Sequence, residues 1–132
     1  MKAFIVEAKN KPGILAEVSK AIADKGVNIE TGSVLGLGDS GGFGFISNDE
    51  AGARNALRDT RYSVREVDVI PISVADEPGA LAKIAKKLGD AGVNVELLLP
   101  TGMSGSKMTL ALGVDKIDAA RKAIGEEVAA AV

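Results

Sequence analysis

Two short segments hold the residues best suited to chemistry, Asn10-Lys11-Pro12-Gly13 and Asp76-Glu77-Pro78-Gly79. Each places a polar side chain, a proline and a glycine just ahead of an apolar run with helical spacing. Free backbone N–H groups at a helix N-terminus attract a carboxylate. Glycine lets a ligand approach the backbone closely because it has no side chain. The side-chain oxygens of Asn10 and Asp76 can accept a hydrogen bond from an ammonium group. Carboxylate at one end and ammonium at the other is the chemistry of a receptor for a free amino acid. The plainer alternative is a strand-to-helix turn that binds nothing. The loops differ in charge: Asn10-Lys11 is neutral and basic, Asp76-Glu77 doubly acidic. An acidic loop is a poorer host for a carboxylate, so the first loop is expected to be the better anion site.

Other chemistries have little support. There are no cysteines and no histidines, which removes thiolate catalysis, disulfides and the commonest general base and metal ligand. Ser33, Ser40, Ser47 and Ser104 are scattered, with no base at a motif spacing, so a non-enzymatic protein without metal or cofactor is expected. Gly36-Leu37-Gly38-Asp39-Ser40-Gly41 matches G-x-G-x-x-G. A dinucleotide site also needs a helix opening at its end within a parallel β-α-β unit. The next apolar residues, Phe43-Gly44-Phe45-Ile46, are strand-like, so the stretch reads as a flexible hairpin, as does Thr101 to Ser106. A net charge of −2 and 3% aromatic residues argue against nucleic acid. Lys83, Lys86 and Lys87 read as a wet helix face. The run Ala3-Phe4-Ile5-Val6 is too short for a signal peptide or membrane span, and the lack of cysteine fits a reducing cytoplasm.

The elements that must position these loops come twice. Asn10-Lys11-Pro12-Gly13-Ile14-Leu15 returns as Asp76-Glu77-Pro78-Gly79-Ala80-Leu81, and Gly26-Val27-Asn28-Ile29 as Gly92-Val93-Asn94-Val95, both at an offset of 66 residues. Two domains, 1–66 and 67–132, are therefore expected. In the first, strands are expected at Ala3–Glu7, Val27–Leu35, Phe43–Ser47 and Tyr62–Glu66. Gly36 to Gly42 is the hairpin connection. A helix is expected over Gly13–Lys25 with Leu15, Val18 and Ile22 as its apolar stripe, and another over Asp49–Asp59. In the second, the pattern predicts strands at Val69–Ser73, Val93–Leu99 and Lys107–Val114. It predicts helices at Gly79–Asp90, with stripe Leu81, Ile84 and Leu88, and from Asp118 to about Glu127. A short last strand falls within Val128–Val132. The order β-α-β-β-α-β gives an α+β class, ferredoxin-like, with antiparallel sheets and the helices on one face. A unit of this size buries only about 60% of its unfolded surface, so each half is expected to lean on the other or on a second chain.

Asn-Lys-Pro-Gly-Ile-Leu followed by a helix and Gly-Val-Asn-Ile closely resembles the ACT domain, as does Asp-Glu-Pro-Gly-Ala-Leu followed by Gly-Val-Asn-Val. The resemblance covers the chain as two copies. It implies amino-acid ligands at domain–domain interfaces and a regulatory or sensing role in amino-acid metabolism or transport. By that resemblance the ligand-binding residues are Asn10, Lys11, Pro12, Gly13, Ile14 and Leu15, with Asn28 and Ile29. The second set is Asp76, Glu77, Pro78, Gly79, Ala80 and Leu81, with Asn94 and Val95. A partner domain would bring an asparagine of one against the loop of the other. Asn28 and Asn94 can equally serve only local backbone groups. Some serine-binding members of that family carry a histidine two residues before the loop asparagine. Ala8 and Val74 stand there, so serine is not the expected ligand. A homodimer is expected, with a regulated enzyme as a further partner. The alternative is a ligand-free module that pairs with an enzyme or transporter.

Overall fold

The computed structural model describes residues 1–128. Backbone contacts divide the chain into two compact units, residues 2–66 and residues 67–132 with Met1.

The first unit runs β1 (Lys2–Lys9), α1 (Ile14–Ala23), β2 (Ile29–Leu37), β3 (Ser40–Ser47), α2 (Glu50–Arg58) and the start of β4 (Ser63–Ala75). Its strands lie in the order β2-β3-β1-β4, and β3 pairs antiparallel with both β1 and β2. Alternation along β1 and β3 sends Phe4, Val6, Phe43 and Phe45 to one face. There they meet Val18 and Ile22 of α1 and Ala53, Ala56 and Leu57 of α2. Both helices thus cover the same side of the sheet. The rings stack, with centroids 5.4 Å apart for Phe4–Phe45 and 5.1 Å for Phe43–Phe45. Asp49 caps α2, its side chain accepting from Gly52 N at 2.9 Å, as an aspartate before a helix should.

The second unit runs through the rest of β4, then α3 (Ala80–Asp90), β5 (Val95–Ser104), β6 (Lys107–Val114) and α4 (Ile117–Ala123), with a 3₁₀ turn at Gly125–Glu127. The strand order is β4-β6-β5, again antiparallel. Its core is aliphatic: Ile70, Ile72, Val74, Ile84, Leu88, Leu110 and Leu112.

Several expectations need correction. Tyr62–Glu66 and Val69–Ser73 are one strand, because Glu66-Val67-Asp68 contains no glycine or proline to break it. The hairpin connection shrinks from Gly36–Gly42 to Gly38-Asp39, since Leu37 already pairs with Ser40. Gly38 has φ 67°, the positive first position that such tight turns require. Leu15 and Leu81 do not join the buried stripe; each is 48% exposed. The core-facing rows step strictly by four, Ile14-Val18-Ile22 and Ala80-Ile84-Leu88, which puts the leucines one position off the row. The last helix ends at Ala123 rather than near Glu127. The constant offset also fails: β5 has a second bulge, between Pro100 and Gly102, that β2 lacks. Beyond it the correspondence is 67 residues, so Asp49 corresponds to Lys116, which supplies no side-chain cap. The expected last strand appears only as a bridge between Val128 and Ile72; the remainder, 129–132, lies outside the described residues.

Candidate functional site

The first loop is held by both neighbours in sequence and distant glycines. Gly13 opens α1 with φ 93°, and Gly79 opens α3 with φ 86°. An ordinary L-residue is strained at such angles. Asn10 N donates to Asp39 O at 2.9 Å, and Asn10 Nδ2 donates to Gly38 O at 3.0 Å. Two donors therefore dock Asn10 onto the tip of the β2–β3 hairpin, while its Oδ1 can still accept. Gly36 makes this possible, since a Cβ there would sit 2.8 Å from Asn10 Nδ2. The glycine-rich stretch that sequence reasoning read as a flexible connection is paired strand that seats a site residue.

Beneath this loop lies a cavity of about 140 Å³. Val6, Ile14, Val18, Val34 and Phe43 give it apolar walls, and Lys9, Asn10, Lys11 and Gly13 lie at its polar edge. Sequence reasoning named Ile14 among these walls and missed Val6, Val18, Val34 and Phe43. The signal was present in the alternation of β1 and β3, but alternation marks core and cavity lining alike.

The second loop is built differently. Asp76 N donates to Ser106 O at 2.9 Å, the counterpart of Asn10 N to Asp39 O. The second cavity, about 460 Å³, is lined by Glu77, Gly79, Lys83, Lys107 and Glu127 among others. Glu127 Oε1 accepts from Lys87 Nζ at 2.7 Å, and Glu127 Oε2 is buried with no hydrogen-bond partner among the described residues. Val74, Ala80 and Ile84 keep an apolar wall here, and charge of both signs stands beside it.

Asn28 and Asn94 are not near the loops of their own units. Ile29 pairs with Ser47 at one end of β2, and Leu37 with Ser40 at the other. Eight steps of strand separate them, about 26 Å. Asn28 is tied locally instead: its N donates to Asn48 Oδ1 at 3.0 Å, and its carbonyl accepts from Asn48 N at 3.1 Å. Asn94 repeats this with Asp115, at 2.9 and 3.2 Å, and its Nδ2 also donates to Glu96 at 3.1 Å. Ile29 is half-buried, and Val95 is exposed. The structure thus groups Asn10, Lys11, Gly13, Ile14 and Leu15 around one cavity, and Glu77, Pro78, Gly79 and Ala80 around another. It keeps the asparagines at the far ends of their sheets. Among the described residues no group of three or more Asp or Glu side chains is placed to hold a metal ion, and no helix is long and apolar enough to cross a membrane.

The sequence profile of the ACT domain matches residues 3–62. The match covers the Asn10–Leu15 loop, its cavity and Asn28. Solved structures extend the likeness in fold. A protein from Bacteroides thetaiotaomicron is 27% identical, covering 95% of this chain and 86% of that one, with a TM-score of 0.73. The regulatory subunit of aspartate kinase from Thermus thermophilus, in a ligand-free form, is 18% identical, with coverages of 96% and 90% and a TM-score of 0.64. Aspartate kinase from Synechocystis is 19% identical over 99% of this chain and 26% of that one, with a TM-score of 0.65. No curated protein matches the sequence. The α+β antiparallel architecture is the one these structures share.

Proposed function

We propose that this chain is a non-enzymatic, tandem ACT regulator whose ACT domain binds a free amino acid. The observation that carries the reading is the cavity under the Asn10–Leu15 loop. It offers helix-terminal N–H groups and Lys11 for a carboxylate, and Asn10 Oδ1, oriented by two hydrogen bonds, for an ammonium. The internal repeat and the left-handed Gly13 and Gly79 support a second ACT copy in residues 67–132. A ligand would sit at an ACT–ACT interface. Asn28 lies at the far end of its own sheet, so an asparagine contact requires a second domain, supplied by another copy of the chain in a homodimer. Ligand would then favour one packing of domains over another by its differential affinity. The regulatory subunits among the similar folds support a regulated enzyme as partner, and a cytoplasmic location fits that role.

A panel of amino acids at about 1–10 mM in a thermal-shift assay tests this. A ligand at 100 times its Kd adds about 2.7 kcal/mol, several degrees in the midpoint. A panel with no responder would sink the sensor reading. One observation favours a second reading, a ligand-free interaction module. Val34, Leu35 and Leu37 on edge strand β2 are 56%, 61% and 65% exposed, and an apolar edge is a template for pairing with another chain. A flat panel together with a stoichiometric enzyme partner in a pull-down would establish that alternative.

A further inference from the structure

We propose that the first-unit cavity receives the branched aliphatic side chain of valine, leucine or isoleucine, with the α-carboxylate and ammonium held at the Asn10–Gly13 loop. This rests on the amino-acid-binding reading above and names the class of ligand. The cavity is walled by Val6, Ile14, Val18, Val34 and Phe43, and among the described residues no acidic side chain lines it. A cationic ligand side chain placed there has no counter-charge, and a carboxylate or hydroxyl pressed against those walls loses its water without a partner. Lys9 and Lys11 at the polar edge complement the α-carboxylate instead. Size agrees with chemistry. A closed apolar cavity of about 150 Å³ takes one benzene, so an open space of about 140 Å³ accommodates three or four side-chain carbons. Val6 and Val18 form its floor and are essentially fully buried, at 1% and 0% exposure. The floor is therefore a rigid surface rather than a mobile flap. The second cavity has apolar wall too, in Val74, Ala80 and Ile84, but sets Glu77, Lys83, Lys107 and Glu127 beside it, so an aliphatic side chain there meets charge as well.

Calorimetric titration of the full chain with leucine, isoleucine, valine, alanine, serine, aspartate and lysine tests this. Each buried methylene raises affinity about fourfold, so valine should bind roughly fifteenfold tighter than alanine, and serine, aspartate and lysine no tighter than alanine. Val6→Thr and Val34→Asp should weaken leucine at least fivefold while changing alanine less than twofold. Val34 is exposed, so its variant keeps the fold if Val6→Thr does not. A polar or charged amino acid that binds tighter than every aliphatic one overturns the inference and leaves amino-acid binding standing. So does an equal loss for leucine and alanine, or an unchanged leucine affinity, in Val34→Asp. Absence of binding by any of the seven at 10 mM overturns the amino-acid reading itself, and the inference with it.

Discussion

Residues 2–66 centre their core on three stacked phenylalanines, whereas residues 67–132 fill the corresponding layer with Ile70, Leu110 and Leu112. The ladder positions agree: Phe4 faces Phe45, and Ile70 faces Leu112. The polar ends diverge more. An aspartate caps α2 and a lysine stands before α4, and α2 has nine residues against seven. One loop is neutral and basic, the other acidic. The pattern of burial reproduces the architecture in both, while side-chain identity decides what each cavity can hold.

The largest test of that contrast is in the cores. Phe45→Ala should cost about 3–5 kcal/mol, and Leu112→Ala should cost less. Phe45 loses two ring stacks, worth roughly 0.5–1.5 kcal/mol each beyond its area. Urea unfolding measures both, and equal losses would mean that the aromatic cluster adds nothing over aliphatic packing. Next comes the loop charge. Exchanging Asn10-Lys11 for Asp-Glu should weaken amino-acid binding at least tenfold, about 1.4 kcal/mol. The reverse exchange at Asp76-Glu77 should leave first-site affinity unchanged. Titration with the best ligand decides, and an unaffected Asn10→Asp/Lys11→Glu variant would move the site away from the first loop. The caps give a smaller effect. Asp49→Ala should cost about 1 kcal/mol and Lys116→Asp should gain several tenths, read from thermal midpoints. A loss in Lys116→Asp would show that the bond from Lys116 Nζ to Gly92 O, 3.1 Å long, matters more than the cap.

The smallest effect concerns acid. Paired hydrogen bonds from Arg54 to Glu66, at 2.6 and 2.8 Å, hold the Glu66 carboxyl below its usual range despite partial burial. A carboxyl depressed in the folded state stabilises above its unfolded pKa and loses that contribution as pH falls through the folded value. Stability measured from pH 6 to pH 3 should therefore fall slightly less steeply in Glu66→Gln than in the parent. The difference is small because the pair is partly exposed.

Strand alternation and the left-handed glycines made most of the first unit legible in advance. Helix α2 came within a residue of its ends because Asp49 is a good cap. The last helix was read four residues too long because nothing in the sequence marks a stop before Gly125. Leu15 shows why the cavity was hidden. Period three-and-four places it in the stripe, and only the exact row reveals that it lines the pocket. The extra bulge at Pro100–Gly102 was hidden because Leu97-Leu98-Leu99 is a continuous apolar run, with no alternation to mark a shift of register.

Gly36 lies outside the cavity lining, and its backbone angles are ordinary. An alanine there meets only the movable tip of Asn10, so the fold gives way at little cost by turning that side chain aside. In a mutational scan position 36 should look permissive to any assay of abundance and intolerant to any assay of occupancy. Selection acting through the ligand alone would hold this glycine in place.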